Sequence, residues 1–161
     1  MGYFAALSMT VFPELDFPPF GPKLSTSPTN QPLIWDELRR KYVVPTPEEW
    51  VRQHVVHYLV AHRGYPRGLL SLERGHRYNR RQKRTDLVAL GADGRPLLLV
   101  ECKAPEVAVT AAVARQAATY NQTVQAPLLL LTNGLTHYCW RVDAVRGTNE
   151  RLAEVPAYET T

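Results

Sequence analysis

Three ionisable residues near the middle of the chain, Asp86, Glu101 and Lys103, have types and spacing that can do hydrolytic chemistry. Asp86 stands at the head of the run DLVALG, and Glu101 and Lys103 close the run PLLLVECK, with Ala92-Asp93-Gly94-Arg95 joining the two. Asp-Gly is the preferred pair for a two-residue hairpin turn, because both central positions need positive φ. A turn centred there predicts an antiparallel hairpin in which Ala92 faces Arg95, Leu90 faces Leu97 and Asp86 faces Glu101. Pro96 suits that register, since its expected partner Gly91 falls in a non-hydrogen-bonded pair, where a missing donor costs nothing. Opposed residues share a face with Cβ atoms roughly 4.5–5.5 Å apart, and Lys103, two residues beyond Glu101, returns to that face.

Two carboxylates that close on an apolar hairpin repel and raise each other's pKa unless a cation sits between them. Hard oxygen donors in that number favour Mg²⁺ or Mn²⁺, with water and a substrate phosphate completing the shell. Lys103 can then hold or help activate the attacking water. Taken singly, Glu-x-Lys reads as an exposed ion pair and Asp86 as a strand cap. The hairpin register, the basic cluster ending at Arg84 and the apolar LLLV leading into Glu101 argue jointly for the site.

That cluster, Arg74, Arg77, Arg80, Arg81, Lys83 and Arg84, lies in eleven residues with no acid among them. The whole chain has 19 Lys+Arg against 15 Asp+Glu, so the remainder carries 13 basic and 15 acidic groups and the entire positive excess sits here. Interleaved with Tyr78, Asn79 and Gln82, it suits phosphate contacts and counterion release from a nucleic acid; the other reading is a solvated basic loop.

Elements must position these groups. With 161 residues, 45% of them hydrophobic, one domain of ordinary size is expected. No apolar run approaches the roughly 20 residues that span a bilayer, no targeting signal is evident, and two cysteines suggest a reducing cytosol rather than a disulfide framework. Residues 1–32 hold six of the 13 prolines and read as an extended arm with one short edge strand. The domain over 33–161 should open with a short helix around Trp35 to Lys41. A stronger helix follows, capped by Thr46 with Pro47 at its first position and Glu49 three residues after the cap. GLLSLE, TDLVALG and PLLLVECKA read as strands, Val107 to Val124 as a helix, and Ala126–Thr132 as a buried strand. Asn133-Gly134 marks a turn, LTHYCWRV a further strand, and Leu152 to Val155 a last one. The class is α/β, a mixed sheet flanked by helices.

DLVAL, the turn and LLLVECKAP resemble the signature of PD-(D/E)XK nucleases, an Asp followed about 15 residues later by Glu-x-Lys. From about Leu33 onward the chain is similar to the N-terminal nuclease domain of type I restriction enzyme R (HsdR) subunits, in a short stand-alone form. The resemblance implies a PD-(D/E)XK restriction-endonuclease-like core, Asp86 and Glu101 as metal ligands, the Cys102 carbonyl as a further ligand, and Lys103 as the catalytic lysine. It also implies a Gln-x-x-x-Tyr pair on the helix after the lysine strand, met by Gln116 and Tyr120. An acid on the first helix is implied too, for which Glu48 and Glu49 compete. Glu48 is preferred, being in line with Val51 and Val55 and four residues before Arg52; for Glu49 a plain first-turn acid is an equal reading. DNA is the implied partner with RNA left open, in a homodimer or a larger restriction or repair assembly. The R subunits' helicase motor is not matched, because no Gly-x-x-x-x-Gly-Lys-Ser/Thr loop occurs.

Three functions compete. The leading one is a Mg²⁺- or Mn²⁺-dependent nuclease. A nucleic-acid-binding or assembly module without useful catalysis is the second, although such a module has no need of a lysine beside two acids. A reactive Cys102 thiol is third, and strand alternation puts it on the face opposite Glu101.

Overall fold

The computed structural model describes residues 12–72 and 87–160. The assignments made to Asp86 and to Arg74, Arg77, Arg80, Arg81, Lys83 and Arg84 therefore lie outside the described residues. β1 (Leu24–Thr26), β2 (Pro32–Asp36) and β3 (Lys41–Val43) form an antiparallel sheet in chain order. Helix α1 (Pro47–His57) continues into a π-helical turn, Tyr58–His62. A six-stranded sheet then runs in chain order through β4 (Leu70–Leu72), β5 (Leu87–Leu90), β6 (Pro96–Cys102), β7 (Leu128–Thr132), β8 (His137–Asp143) and β9 (Thr148–Leu152). Helix α2 (Ala111–Val124) carries the chain from β6 to β7, which pair in parallel, and the other neighbours are antiparallel. The α/β class with a mixed sheet is as the sequence predicts.

Strand alternation divides the core in two. Leu87, Ala89, Leu98, Val100 and Cys102 pack with Val51, Val55 and Leu59 of the α1 region, whereas Val88, Leu99 and Leu129 pack with Ala117 of α2. A sheet covered on both faces explains why β6 and β7 read as continuous runs, LLLV and LLLLT. Each fully buried leucine in them contributes roughly 1.5–3 kcal/mol.

Local chemistry sets the element ends. The Thr46 hydroxyl accepts from the Glu49 N–H at 3.2 Å and starts α1. At the far end of α2, Gln125 takes φ 60° and the buried Asn121 side chain bonds both the N–H and the C=O of Ala126, at 3.0 and 2.9 Å. These two hydrogen bonds hold the entry to β7 against the helix.

Four expectations need correction. The helix predicted around Trp35 to Lys41 is the β2–β3 hairpin: the Asp36 carboxylate accepts from the N–H groups of Leu38 and Arg39, and Arg40 sits at φ 54°. A local side-chain acceptor of this kind offers the backbone a turn in place of helix. The β5–β6 turn is one residue wider than a two-residue hairpin. Gly91 N–H donates to Arg95 C=O, Gly94 N–H donates to Gly91 C=O, and only Gly94, at φ 77°, takes the left-handed conformation. This is the three-residue loop with glycine in the left-handed place, and Pro96 faces Leu90 rather than Gly91. A register shift between Ala89 and Leu90 absorbs the extra residue, so Leu87 still faces Val100, as the two-residue turn would have had it. The second helix begins at Ala111, not near Val107, because Thr110 caps it. The last strand is Thr148–Leu152, earlier than predicted, because Asp143 accepts from the N–H groups of Val145 and Arg146 and Gly147 takes φ 66° to close a tight hairpin.

Residues 12–20 of the proline-rich stretch lie across α1. Trp50 Nε1 donates to Pro13 C=O at 2.9 Å, Phe12 stacks on Trp50, and Phe20 stacks on His57 and meets His54 edge-on. None of the helices among the described residues is long and apolar enough to cross a membrane.

Three groups near α1 make stability fall toward acid pH: His54, Asp36, and His57, which burial and then His62 hold below 6.5. Burial lowers His54 below its ordinary 6.5 and nearby His57 adds to that, against the upward pull of the Trp50 carbonyl. For Asp36 burial acts upward, but Arg52, the Arg39 and Leu38 N–H groups and the Arg39 charge outweigh it and hold the carboxyl below 3.8. All three folded values are depressed, so each contribution is complete above the unfolded value and is lost as pH falls through the folded one. Thermal melts should therefore be level from about pH 6.5 to about pH 8, decline first through the two histidines and fall again at acid pH through Asp36. His54→Gln should shrink the first decline, leaving the part that belongs to His57, and keep the second; an unchanged first decline would contradict it.

Candidate active site at the carboxyl ends of β6 and β7

β6 and β7 are parallel neighbours, so their carboxyl ends open side by side, where ligands of α/β sheets bind. Glu101 is the penultimate residue of β6. It follows Leu99 by two and so faces the α2 side, while Cys102 turns into the α1-side core at 1% exposure. The Cys102 thiol is thus buried opposite Glu101, as alternation predicts. Lys103 continues the β6–β7 ladder through its N–H to Thr132 C=O at 2.8 Å.

The two charged side chains meet. Lys103 Nζ lies 2.9 Å from Glu101 Oε1, and the residues are only 5% and 9% exposed. The exposed ion pair that Glu-x-Lys suggests by itself is therefore not what forms. Taking a carboxylate and an ammonium out of water costs several kcal/mol per ion before their attraction is counted. A solvent-facing pair would have been cheaper, and so the placement of these two calls for a use.

The rim of this site is held by polar groups that the sequence showed only as a turn. Buried Asn133 donates from Nδ2 to Val107 C=O at 2.9 Å and accepts at Oδ1 from the N–H groups of Leu135 and Thr136. One amide thereby ties the segment after Lys103 to the loop after β7. Thr132, fully buried, accepts at Oγ1 from Gly134 N–H and bonds His137 Nδ1 at 2.7 Å. Gly134 is pressed against Leu15 and Val51: a Cβ there, at φ +87°, would lie 2.8 Å from a Leu15 methyl and 3.1 Å from Val51. The signal in the sequence was a polar Thr-Asn pair directly after four leucines, which a plain surface turn does not require.

Val51 against Gly134 also brings the first turns of α1 to this end of the sheet. Glu48, one turn before Val51, is half-buried there. Glu49 is committed elsewhere: with Asp36, Arg39 and Arg52 it forms a buried ion cluster between α1 and the β2–β3 hairpin. Arg52 is 0% exposed, and its Nη2 lies 2.7 Å from Glu49 Oε2 and also meets Asp36 Oδ2. Arg39 Nη1 bridges the same two acids at 2.8 Å each. Gln116 and Tyr120 occupy one row of α2, the helix that covers the Glu101 face. Tyr120 packs against the α2-side core and Gln116 is exposed one turn nearer the helix start. Glu101 and Lys103 are thus in direct contact, Gln116 and Tyr120 stand on the helix over the same sheet face, and Asp86 with the basic cluster lies outside the described residues.

On donor chemistry, a hard divalent cation suits a carboxylate and a backbone carbonyl, which Glu101 and Cys102 supply. Among the described residues alone no group of three His, Cys, Asp or Glu side chains could hold a metal.

The family model described as type I restriction enzyme R protein N terminus (HSDR_N) matches residues 47–156, from the start of α1 to beyond β9. No curated protein and no solved structure matches the chain.

Proposed function

The chain belongs to the type I restriction enzyme R protein N-terminus family, and from that premise we propose that it is a PD-(D/E)XK-like nuclease, dependent on Mg²⁺ or Mn²⁺, that hydrolyses phosphodiester bonds of DNA. The observation that carries this reading is the buried contact between Lys103 Nζ and Glu101 Oε1 at the carboxyl end of a central strand. Supporting it, the register Leu87 to Val100 is the one that pairing of Asp86 with Glu101 requires.

Asp86, Glu101 and the Cys102 carbonyl would hold the cation, whose chemistry is to lower the pKa of a bound water and to offset charge on the phosphoryl oxygens. Lys103, charged and with three donors, orients the attacking water and stabilises the negative charge that builds on phosphorus oxygens. Water oxygen bonds to phosphorus and gives up one proton, the opposite ester bond breaks, and the leaving oxygen takes up a proton, so that one water is consumed overall. Gln116 and Tyr120 contact the substrate backbone from α2, and Glu48 supports the site from α1. Arg74, Arg77, Arg80, Arg81, Lys83 and Arg84 bind phosphates, which sets affinity without reading sequence. Family membership further favours action within an assembly of restriction subunits, or as a homodimer.

Calorimetric titration with Mn²⁺, in the presence of DNA, tests the metal site. Asp86→Asn should bind the ion at least about tenfold more weakly than the wild type, since one of two charged ligands is lost. Equal affinity in both, or binding in neither, would remove the site.

A further inference from the structure

The Glu101 face of the sheet continues past the proposed catalytic centre into a row of planar groups that the hydrolytic chemistry does not use. Glu101 faces Leu131 on β7, and Leu131 faces Tyr138 on β8, so Tyr138 stands on the same row two strands away, about 10 Å at ordinary strand spacing. Trp140, two residues on and on the same face, lies nearly parallel to it, with ring centroids 5.8 Å apart and planes 16° apart. Arg151, which faces Trp140 from β9, sets its guanidinium over the Tyr138 ring, 4.1 Å from the centroid. Trp140 rests partly on the α2-side core, but Tyr138 belongs to neither apolar cluster of the described residues, and Arg151 is exposed.

A guanidinium placed over a ring is a planar, cationic group with one side left to offer, so it complements a base attached to a polyanionic strand. Bases in a duplex are stacked on one another and cannot reach such a platform. An unpaired base can, and stacking on aromatic rings or on Arg planes is how proteins hold single strands. We propose that Tyr138 and Arg151, backed by Trp140, form a stacking platform for an unpaired nucleobase beside the Glu101–Lys103 centre, so that the substrate is a strand with at least one unpaired nucleotide next to the scissile phosphate. The substrate class rests on the nuclease reading; the platform itself does not.

The test is equilibrium binding in EDTA, where no metal-dependent cleavage occurs, of one labelled oligonucleotide as a single strand and as a blunt duplex. The wild type should bind the single strand more tightly. Tyr138→Leu should weaken single-strand binding about tenfold or more while leaving duplex binding within about twofold, and Tyr138→Phe, which keeps the ring, should bind as the wild type. Melting temperatures of both variants guard against a folding defect, and Tyr138→Phe serves as the folded reference. Equal loss on both probes, no loss in Tyr138→Leu, or a loss in Tyr138→Phe as large as in Tyr138→Leu would overturn the platform. Because cleavage is not read, a chain that binds single strands through Tyr138 but cuts nothing would retain the platform and sink the nuclease. One that cuts but ignores Tyr138 would do the reverse.

Discussion

Lys103→Gln is expected to lower metal-dependent cleavage about a hundredfold or more, the usual size of a positioned proton-transfer or electrostatic contribution. Glutamine is the informative replacement because Lys103 is buried against Glu101, 2.9 Å away. Its amide can still donate to that carboxylate but brings no charge to the developing phosphoryl oxygens. Alanine would remove the donor as well as the charge, which mixes two effects. With the six basic residues of Arg74 to Arg84 proposed to carry the phosphate contacts, DNA affinity should hardly change in Lys103→Gln. Cleavage rates and binding isotherms on the same preparation check this, and a rate within a fewfold of wild type would remove Lys103 from the chemistry.

Arg52→Ala should be the most damaging single change to the fold. Arg52 is fully buried and its guanidinium meets Asp36 and Glu49, both almost fully buried themselves. Removing one partner from a buried ion pair costs roughly 3–5 kcal/mol, because the remaining charges lose their compensation while staying out of water. Arg39 stays in contact with both acids and moderates the loss. Since a domain's whole stability is of order 5–15 kcal/mol, urea unfolding should show a large fall in midpoint. Arg52→Lys, which keeps charge without the fork that reaches two carboxylates, should fall between. A change below about 1 kcal/mol in Arg52→Ala would mean that the hairpin and α1 are held together by other contacts.

The sequence makes local features legible and leaves distant ones hidden. Thr46, Pro47 and Glu49 announce α1 because a cap acts over three residues, and LLLV and LLLLT announce buried strands because burial on both faces removes the need to alternate. The pairing of Glu101 with Lys103 follows from the same period of two. The ion cluster could not be read, since Asp36 and Arg52 meet across sixteen residues and only the β2–β3 hairpin brings them together. Nothing local distinguished that hairpin from a short helix until Asp36 was seen to accept from Leu38 and Arg39. Glu49 at three residues from Arg52 was as available as Glu48 at four, and the choice between them depends on where the hairpin lies. The width of the β5–β6 turn was misjudged for a related reason. Asp-Gly fits two loop lengths, and the shift between Ala89 and Leu90 that decides the matter leaves no mark in residue type.

The most direct measurement is cleavage of supercoiled, linear and single-stranded DNA by the purified chain with Mg²⁺ and with EDTA, beside Asp86→Asn and Glu101→Gln. A nuclease centred on Glu101 predicts product with Mg²⁺ alone, none with EDTA, and a loss of about a hundredfold or more in each variant. Undiminished cutting by Glu101→Gln would place the activity at another site, and tight nucleic-acid binding without cutting of any substrate would make the chain a binding or assembly module instead.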